Sequence, residues 1–274
     1  MLADVARESA DALVSALRDM GVHRDGAIAI TSVDAAVSSA ARRAEERAPG
    51  DGADAVVWEQ VDRTTDADSA LSVSYLAFLT IATLLAAIAI INDSAILTIG
   101  AMVLGPEFVP LAALAVAVVQ RRPASARRAL VTLVVGFVVA IGVTAAVTLV
   151  GRGLGWFGPE LLHADRPQTG FITAPDKWSL VVAVLAGVAG VLSLTSAKSG
   201  ALVGVFISVT TVPAAADMAV SLALGGGPEF LRAATQLGIN LAGIIVAATA
   251  TLAIQRAVWR RVPGVVPRAD AHRT

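Results

Sequence analysis

Two short stretches of this chain place groups that could hold an ion beside residues that break a helix. The first is Gly105-Pro106-Glu107-Phe108-Val109-Pro110. A proline removes the hydrogen bond to the carbonyl four residues earlier, so Pro106 would free the Met102 carbonyl and Pro110 that of Pro106. Pro106 also suits the first position of a new half-helix, which would set Glu107 in its first turn against the positive end of the dipole. The second stretch is Ser208-Val209-Thr210-Thr211-Val212-Pro213, with Asp217 one turn further on. Pro213 would free the Val209 carbonyl beside three hydroxyls. Carbonyl and hydroxyl oxygens with one or two carboxylates suit a hard cation or a proton relay. Gln236 and Asn240, four residues apart on one helical face, could border the same space or serve as interhelical glue.

Each of these residues also has a plainer role to weigh. Gly-Pro-Glu recurs at 158–160 and 227–229, where it starts helices in loops, so Glu107 could be a first-turn acid and no more. Against that, an acid at mid-bilayer costs on the order of 2.5–3.5 kcal/mol on insertion scales, and such residues usually mark a pathway. Serines and threonines in apolar helices can instead bond their own backbone and soften a kink.

The elements that must position these groups are membrane spans. Of 274 residues, 56% are hydrophobic and 16% charged, and mean hydropathy is +0.73. A soluble domain averages about 45–50% apolar and about 25% charged, so an ordinary soluble enzyme is excluded. The net charge of -1 argues against a nucleic-acid partner. With no cysteine there is no disulfide, thiolate metal site or thiol nucleophile, and His23, His163 and His272 lie too far apart for an expected metal site. No cofactor is expected. Apolar segments run about Leu71–Ile91, Ala95–Val119, Ala129–Val150, Ser179–Thr195, Gly200–Leu224 and Ala234–Gln255, most of them long enough for a hydrocarbon core of about 30 Å. Arg121, Arg122, Arg127 and Arg128 follow the second segment and Arg256, Arg260 and Arg261 the sixth, while Asn92-Asp93 carries no cation. The positive-inside bias then puts both termini in the cytoplasm of a multi-pass protein of the cell (inner) membrane. Trp156, Trp178 and Trp259 fit an interfacial belt.

Residues 1–70 differ in composition and read as a cytosolic α/β unit, ahead of a transmembrane domain at 71–256 and a tail at 257–274. Ala6, Ala10, Leu13 and Leu17 share a helical face that ends at Met20-Gly21. Ala27–Ile30 and Ala55–Trp58 read as strands, and Asp34 as the cap of a helix running to about Ala48.

Val109-Pro110 aligns with Val212-Pro213, Arg128-Ala129 with Arg232-Ala233, and Gly136 with Asn240. Each repeat then holds three spans with a broken middle one, and an odd number of spans inverts the second copy. Ser196, Gly200, Gly204 and Ser208 form one small-residue ladder for close packing, and Gly136, Ala140, Thr144 and Thr148 another. There is no H-E-x-x-H or G-x-S-x-G motif, and Gly151-Arg-Gly-Leu-Gly lacks the Lys-Ser/Thr of a P-loop, so no catalysis is expected.

Three motifs in order, Ala101-Met-Val-Leu-Gly-Pro-Glu-Phe-Val-Pro110, Gly187-Val-Ala-Gly-Val-Leu-Ser-Leu194 and Gly204-Val-Phe-Ile-Ser-Val-Thr-Thr-Val-Pro213, resemble the DUF389 family of prokaryotic membrane proteins over about residues 71–256. The resemblance implies a multi-helix membrane domain behind a soluble N-terminal part, here resembling part of a ferredoxin-like module, and no established activity. Val109 departs from it, standing where the family pattern often has glycine.

The expected fold is mainly α: a polytopic membrane helix bundle of about six spans in two inverted three-helix repeats with broken second helices, plus the small α/β unit. The expected function is transport of an ion or small solute. The ion-binding residues would be Glu107, Asp217, Ser208, Thr210, Thr211, Asn240 and Gln236, at breaks made by Gly105, Pro106, Pro110 and Pro213. A scaffold acting through its cytosolic unit, and an ion channel, are the alternatives. The expected partners are the lipid bilayer, an unknown solute or ion, and a second copy in a homo-oligomer.

Overall fold

The computed structural model describes residues 5, 7–30, 61, 70–170, 177–195 and 210–259. In the N-terminal part, α1 (Arg7–Asp19) and α2 (Val22–Asp25) are separated by Gly21, whose φ of 77° is a left-handed turn that glycine enters without strain. Among the described residues Val14 is the buried side chain of α1, while Ala10, Leu13 and Leu17 of the expected apolar face are half-buried. Ala27–Ile30, expected as a strand, is not one here, and no β-strand forms among the described residues. An extended segment becomes a strand only by pairing. Its expected partner Ala55–Trp58 and the helix from Asp34 lie outside the described residues.

The remainder is a bundle of apolar helices and makes this a multi-pass membrane protein. In chain order these are α3 (Val73–Ile91), α4 (Ala95–Leu104), α5 (Phe108–Val119), α6 (Pro123–Gly153), α7 (Lys177–Thr195), α8 (Thr211–Leu224) and α9 (Gly227–Trp259). A short 3-10 turn, Pro159–His163, lies between α6 and α7. Four helices (α3, α6, α7 and α9) are long and apolar enough to cross a membrane, and α4 with α5, bent by 50°, make a fifth if counted as one span. The expected count of six is therefore not reached among the described residues. The shortfall is the fifth segment, of which only the 14-residue α8 is described. Local signals start the helices: Ser72 and Ser94 accept from the backbone N–H groups of Tyr75 and Leu97, Pro123 opens α6, and Pro228, in the expected Gly-Pro-Glu start, opens α9.

Polar contacts define two ends of the bundle. At the loop end, Arg152 of α6 donates to the Ala223 carbonyl at the end of α8, and the backbone of Gln168 and Thr169 reaches Asp93 between α3 and α4. At the arginine end, Arg256 of α9 donates to Val119 O of α5, and Gln255 to Thr195 Oγ1 of α7. Val61 also lies here. It is buried in one cluster with Ala115 and Val116 of α5, Val191 of α7, and Ala248 and Leu252 of α9.

Two half-helices sit innermost. α8 packs against α3, α6 and α9, and α5 against α6 and α9. Nearly every α8 side chain from Thr211 to Leu224 is buried, whereas α6, α7 and α9 each turn one side outward, as spans bathed in lipid do. Lipid is as apolar as leucine, so association depends on van der Waals contact, which small residues bring close. A Cβ at Gly187 would stand 2.7 Å from Ile244 O and 2.8 Å from Ala247 Cβ. One at Gly190 would run into the ring of Phe108, and one at Gly136 into that of Tyr75. The glycines of the Gly187–Leu194 motif thus let α7 press onto α9 and onto the first residue of α5.

Candidate functional site

The first break lies where its prolines direct it, with a shifted start. α4 ends at Leu104, Gly105 is extended, and Glu107 is the N-cap of α5 rather than a member of its first turn. Pro110 consequently sits at the third position of α5, where its missing N–H would have had no helical partner in any case. Pro213 occupies the third position of α8 in the same way, with Thr210 as N-cap. Each half-helix begins N-cap-x-Val-Pro, so Pro110 and Pro213 stand in a first turn, which corrects the expected release of the Pro106 carbonyl from a continuous helix; Val209 lies outside the described residues.

Depth follows from length. At 1.5 Å per residue, the ten residues of α4 and twelve of α5 span about 15 and about 18 Å. Counted as one span, α4–α5 would set Glu107 near the middle of a core about 30 Å thick.

At that depth the two starts meet. Thr211 Oγ1 donates to Glu107 Oε1 at 2.6 Å. A Cβ on Gly105 would collide with the Glu107 carboxyl and stand 2.8 Å from Val212 Cγ2. Only a residue without a side chain lets the breaks approach this closely. Beyond Thr211, Asn240 Nδ2 donates to Thr210 Oγ1 at 2.6 Å, and Gln236 Nε2 reaches Asn240 Oδ1 at 3.4 Å. The result is a polar seam from Glu107 through Thr211 and Thr210 to Asn240 and Gln236. Four of its members are closed off from solvent, with Glu107 3% exposed, Thr211 0%, Asn240 2% and Gln236 1%, while Thr210 is half-buried.

Two seam atoms, Glu107 Oε2 and Gln236 Oε1, are buried without a hydrogen-bond partner, and so is the hydroxyl of the neighbouring Tyr75. Buried polar atoms left unpaired cost about 1–3 kcal/mol each, so each calls for an explanation. Tyr75, the chain's one tyrosine, was not singled out in the sequence. It lies within electrostatic reach of Glu107 and packs over Gly136. Its signal there was its rarity: the chain's lone phenol, early in an apolar span.

Asp217 does not join the seam. Six residues beyond Thr211, about 9 Å along α8, it forms an ion pair with Arg166 at 3.0 Å. Arg166 also donates to the Leu161 carbonyl, so this pair staples the 159–170 loop over the end of α8. Asp93 anchors the same loop, accepting from the Thr169 hydroxyl at 2.8 Å and from the backbone N–H groups of Gln168 and Thr169. Desolvation pushes the Asp93 carboxyl up, but these hydrogen bonds and the Arg166 charge outweigh it and hold the group below its usual range. Ser208 lies outside the described residues, as does the Ser196–Ser208 ladder. No group of three His, Cys, Asp or Glu side chains that could hold a metal occurs among the described residues.

A family model described as a domain of unknown function, DUF389, matches residues 102–246, a little over half of the chain and all of the seam. A protein of Methanocaldococcus jannaschii, itself named as uncharacterized, is 26% identical over 181 residues, which cover 64% of this chain and 54% of that protein. The chain thus spans about half the length of this curated relative. No solved structure matches.

Proposed function

The chain belongs to the DUF389 family, and on that premise we propose that it moves an ion or small solute across a bilayer through the seam at Glu107. The observation that carries the proposal is the meeting of two half-helix starts around one buried carboxylate, which would lie near mid-membrane with α4–α5 as one span. Irregular backbone at such depth is tolerated where it is enclosed by protein or lines a cavity, and an ionisable residue there usually serves transit.

The helix order supports a repeat. A 19-residue helix, a break with Val-Pro in the first turn of the new half-helix, and a 31-residue helix (α3, α4–α5, α6) are followed by a 19-residue helix, a second such start and a 33-residue helix (α7, α8, α9). α7 finishes at the arginine end and α8 at the loop end, which favours an inverted second unit and six crossings. Rocking of one unit against the other would open the seam to alternate sides. The arginine end would face the cytoplasm by the positive-inside bias. The buried Val61 would then let the N-terminal part bias this motion.

Reconstitution of the purified protein in liposomes tests this, with fluxes of protons, Na⁺, K⁺ and Mg²⁺ measured beside Glu107→Gln. We expect flux that the substitution abolishes while the fold, judged by circular dichroism, is kept. Equal flux in both proteins would remove Glu107 from the path.

A further inference from the structure

We infer that Glu107 Oε2 holds one monovalent metal cation in exchange for one proton, an inference that rests on the transport reading of the seam and names its substrate class. The first argument is an inventory of hydrogen-bonding groups. The donors seen within the seam turn to other acceptors: the Thr211 hydroxyl to Glu107 Oε1, one Asn240 amide N–H to Thr210 and one Gln236 amide N–H to Asn240. What remains unpaired is Glu107 Oε2 and Gln236 Oε1, both acceptors only, and the Tyr75 hydroxyl, which can donate or accept. Free acceptors receive a cation or a proton and repel an anion.

Charge gives the valence. The carboxylate is single, and no other cluster of acidic or imidazole ligands accompanies it among the described residues. Of the elements packed around the α4–α5 junction, α3 brings Tyr75 and α8 brings Asp217, already paired with Arg166. The ionisable residues of α6, α7 and α9 stand only near their ends: Arg127, Arg128 and Arg152; Lys177; Glu229, Arg232 and Arg256. Two half-helix starts supply at most about half a unit of positive charge each, in contacts of roughly 0.3–2 kcal/mol, against a cost of several kcal/mol for a buried bare carboxylate. One added positive charge therefore neutralises the site, whereas a divalent ion would leave an excess as costly as the bare carboxylate.

The exchange follows from there being one carboxyl oxygen for two candidates. With a proton on Oε2 the seam is neutral, and with an alkali cation on Oε2 it is neutral again. The empty state buries an unpaired charge and is the expensive one to carry between sides. In the binding step the Oε2–H bond breaks, the proton passes to water on the open side, and the cation takes the same lone pairs. Charge balances without any further reactant. The site would thus alternate between the two sides loaded with one or the other, and the exchange would move no net charge.

The test uses the purified full-length chain in detergent, weakly buffered with a pH indicator, on addition of NaCl or KCl, with choline chloride as control. We expect release approaching one proton per chain on adding at least one of the alkali salts, none with choline, none in Glu107→Gln, and unchanged release in Glu160→Gln on the exposed loop. In the unaltered protein the apparent cation affinity should fall tenfold for each unit the pH is lowered while Oε2 is protonated, a readout independent of any variant's folding. Cation binding without proton release, an affinity independent of pH, or no release with either salt would each overturn the inference. If release fails while solute flux in liposomes persists, transport stands and the exchange falls. If release occurs without flux in liposomes, the cation site stands and transport falls.

Discussion

The Arg166–Asp217 pair separates a structural staple from a second ion ligand, and its energetics can be worked from the contacts. Both side chains are nearly buried, at 12% and 10% exposure, with the charges 3.0 Å apart. Removing one partner of such a pair costs about 3–5 kcal/mol, because the other charge is left desolvated. The two ends of the pair should not be equivalent. In Arg166→Gln the Asp217 carboxylate stays enclosed by α8 and its neighbours, so the full penalty of about 3–5 kcal/mol is expected. In Asp217→Asn the guanidinium keeps the Leu161 carbonyl and lies in a loop that can turn toward water, so about 1–2 kcal/mol is expected. The double variant should recover part of the loss, with a coupling of about 1–3 kcal/mol. Reversible unfolding in mixed detergent–denaturant titrations gives all four stabilities of the cycle. Additive losses, or a cost below about 0.5 kcal/mol for Arg166→Gln, would refute the staple and return Asp217 to the list of ligands.

Thr211→Val deletes the donor to Glu107 Oε1 while keeping volume, and should cost about 1.5–3 kcal/mol in the same titrations, with Thr211→Ser close to the parent. Gly190→Ala drives a methyl into the Phe108 ring and should destabilise by about 1–3 kcal/mol. Gly142→Ala, which meets nothing within 4 Å, should be neutral or stabilising by up to about 1 kcal/mol, so melting temperatures must move in opposite directions. Asp93 has a depressed carboxyl, so its hold on the 166–170 loop is fully present above the unfolded Asp pKa of about 3.9 and is lost as pH falls through the lower folded value. Hydrogen exchange at Gln168 and Thr169 should therefore stay slow from pH 7 to about 5 and quicken below about pH 4, whereas in Asp93→Asn it should be fast throughout.

Much of this molecule follows from local physics that can be read along the chain. Apolar runs of span length, serines ahead of Tyr75 and Leu97, and prolines at 123 and 228 specify helices wherever they stand, because each acts within a few residues. The positions of the breaks are legible for the same reason. What a break does is not: Pro110 and Pro213 have the composition of mid-helix kinks, yet each stands in the first turn of a fresh helix. Sequence spacing also cannot say which distant groups will meet. Glu107 finds Thr211, 104 positions away, because Gly105 and Gly190 let α4, α5, α7 and α8 close on one another. Asp217, with equal claim by composition, is taken by Arg166 from a loop 51 positions earlier. Tyr75 enters because α3 packs against α6 at Gly136. Helical propensity, capping and hydropathy are properties of neighbours in sequence, and the chain determines them alone. The pairing of buried polar groups depends on which helix faces touch, and only tertiary packing decides that.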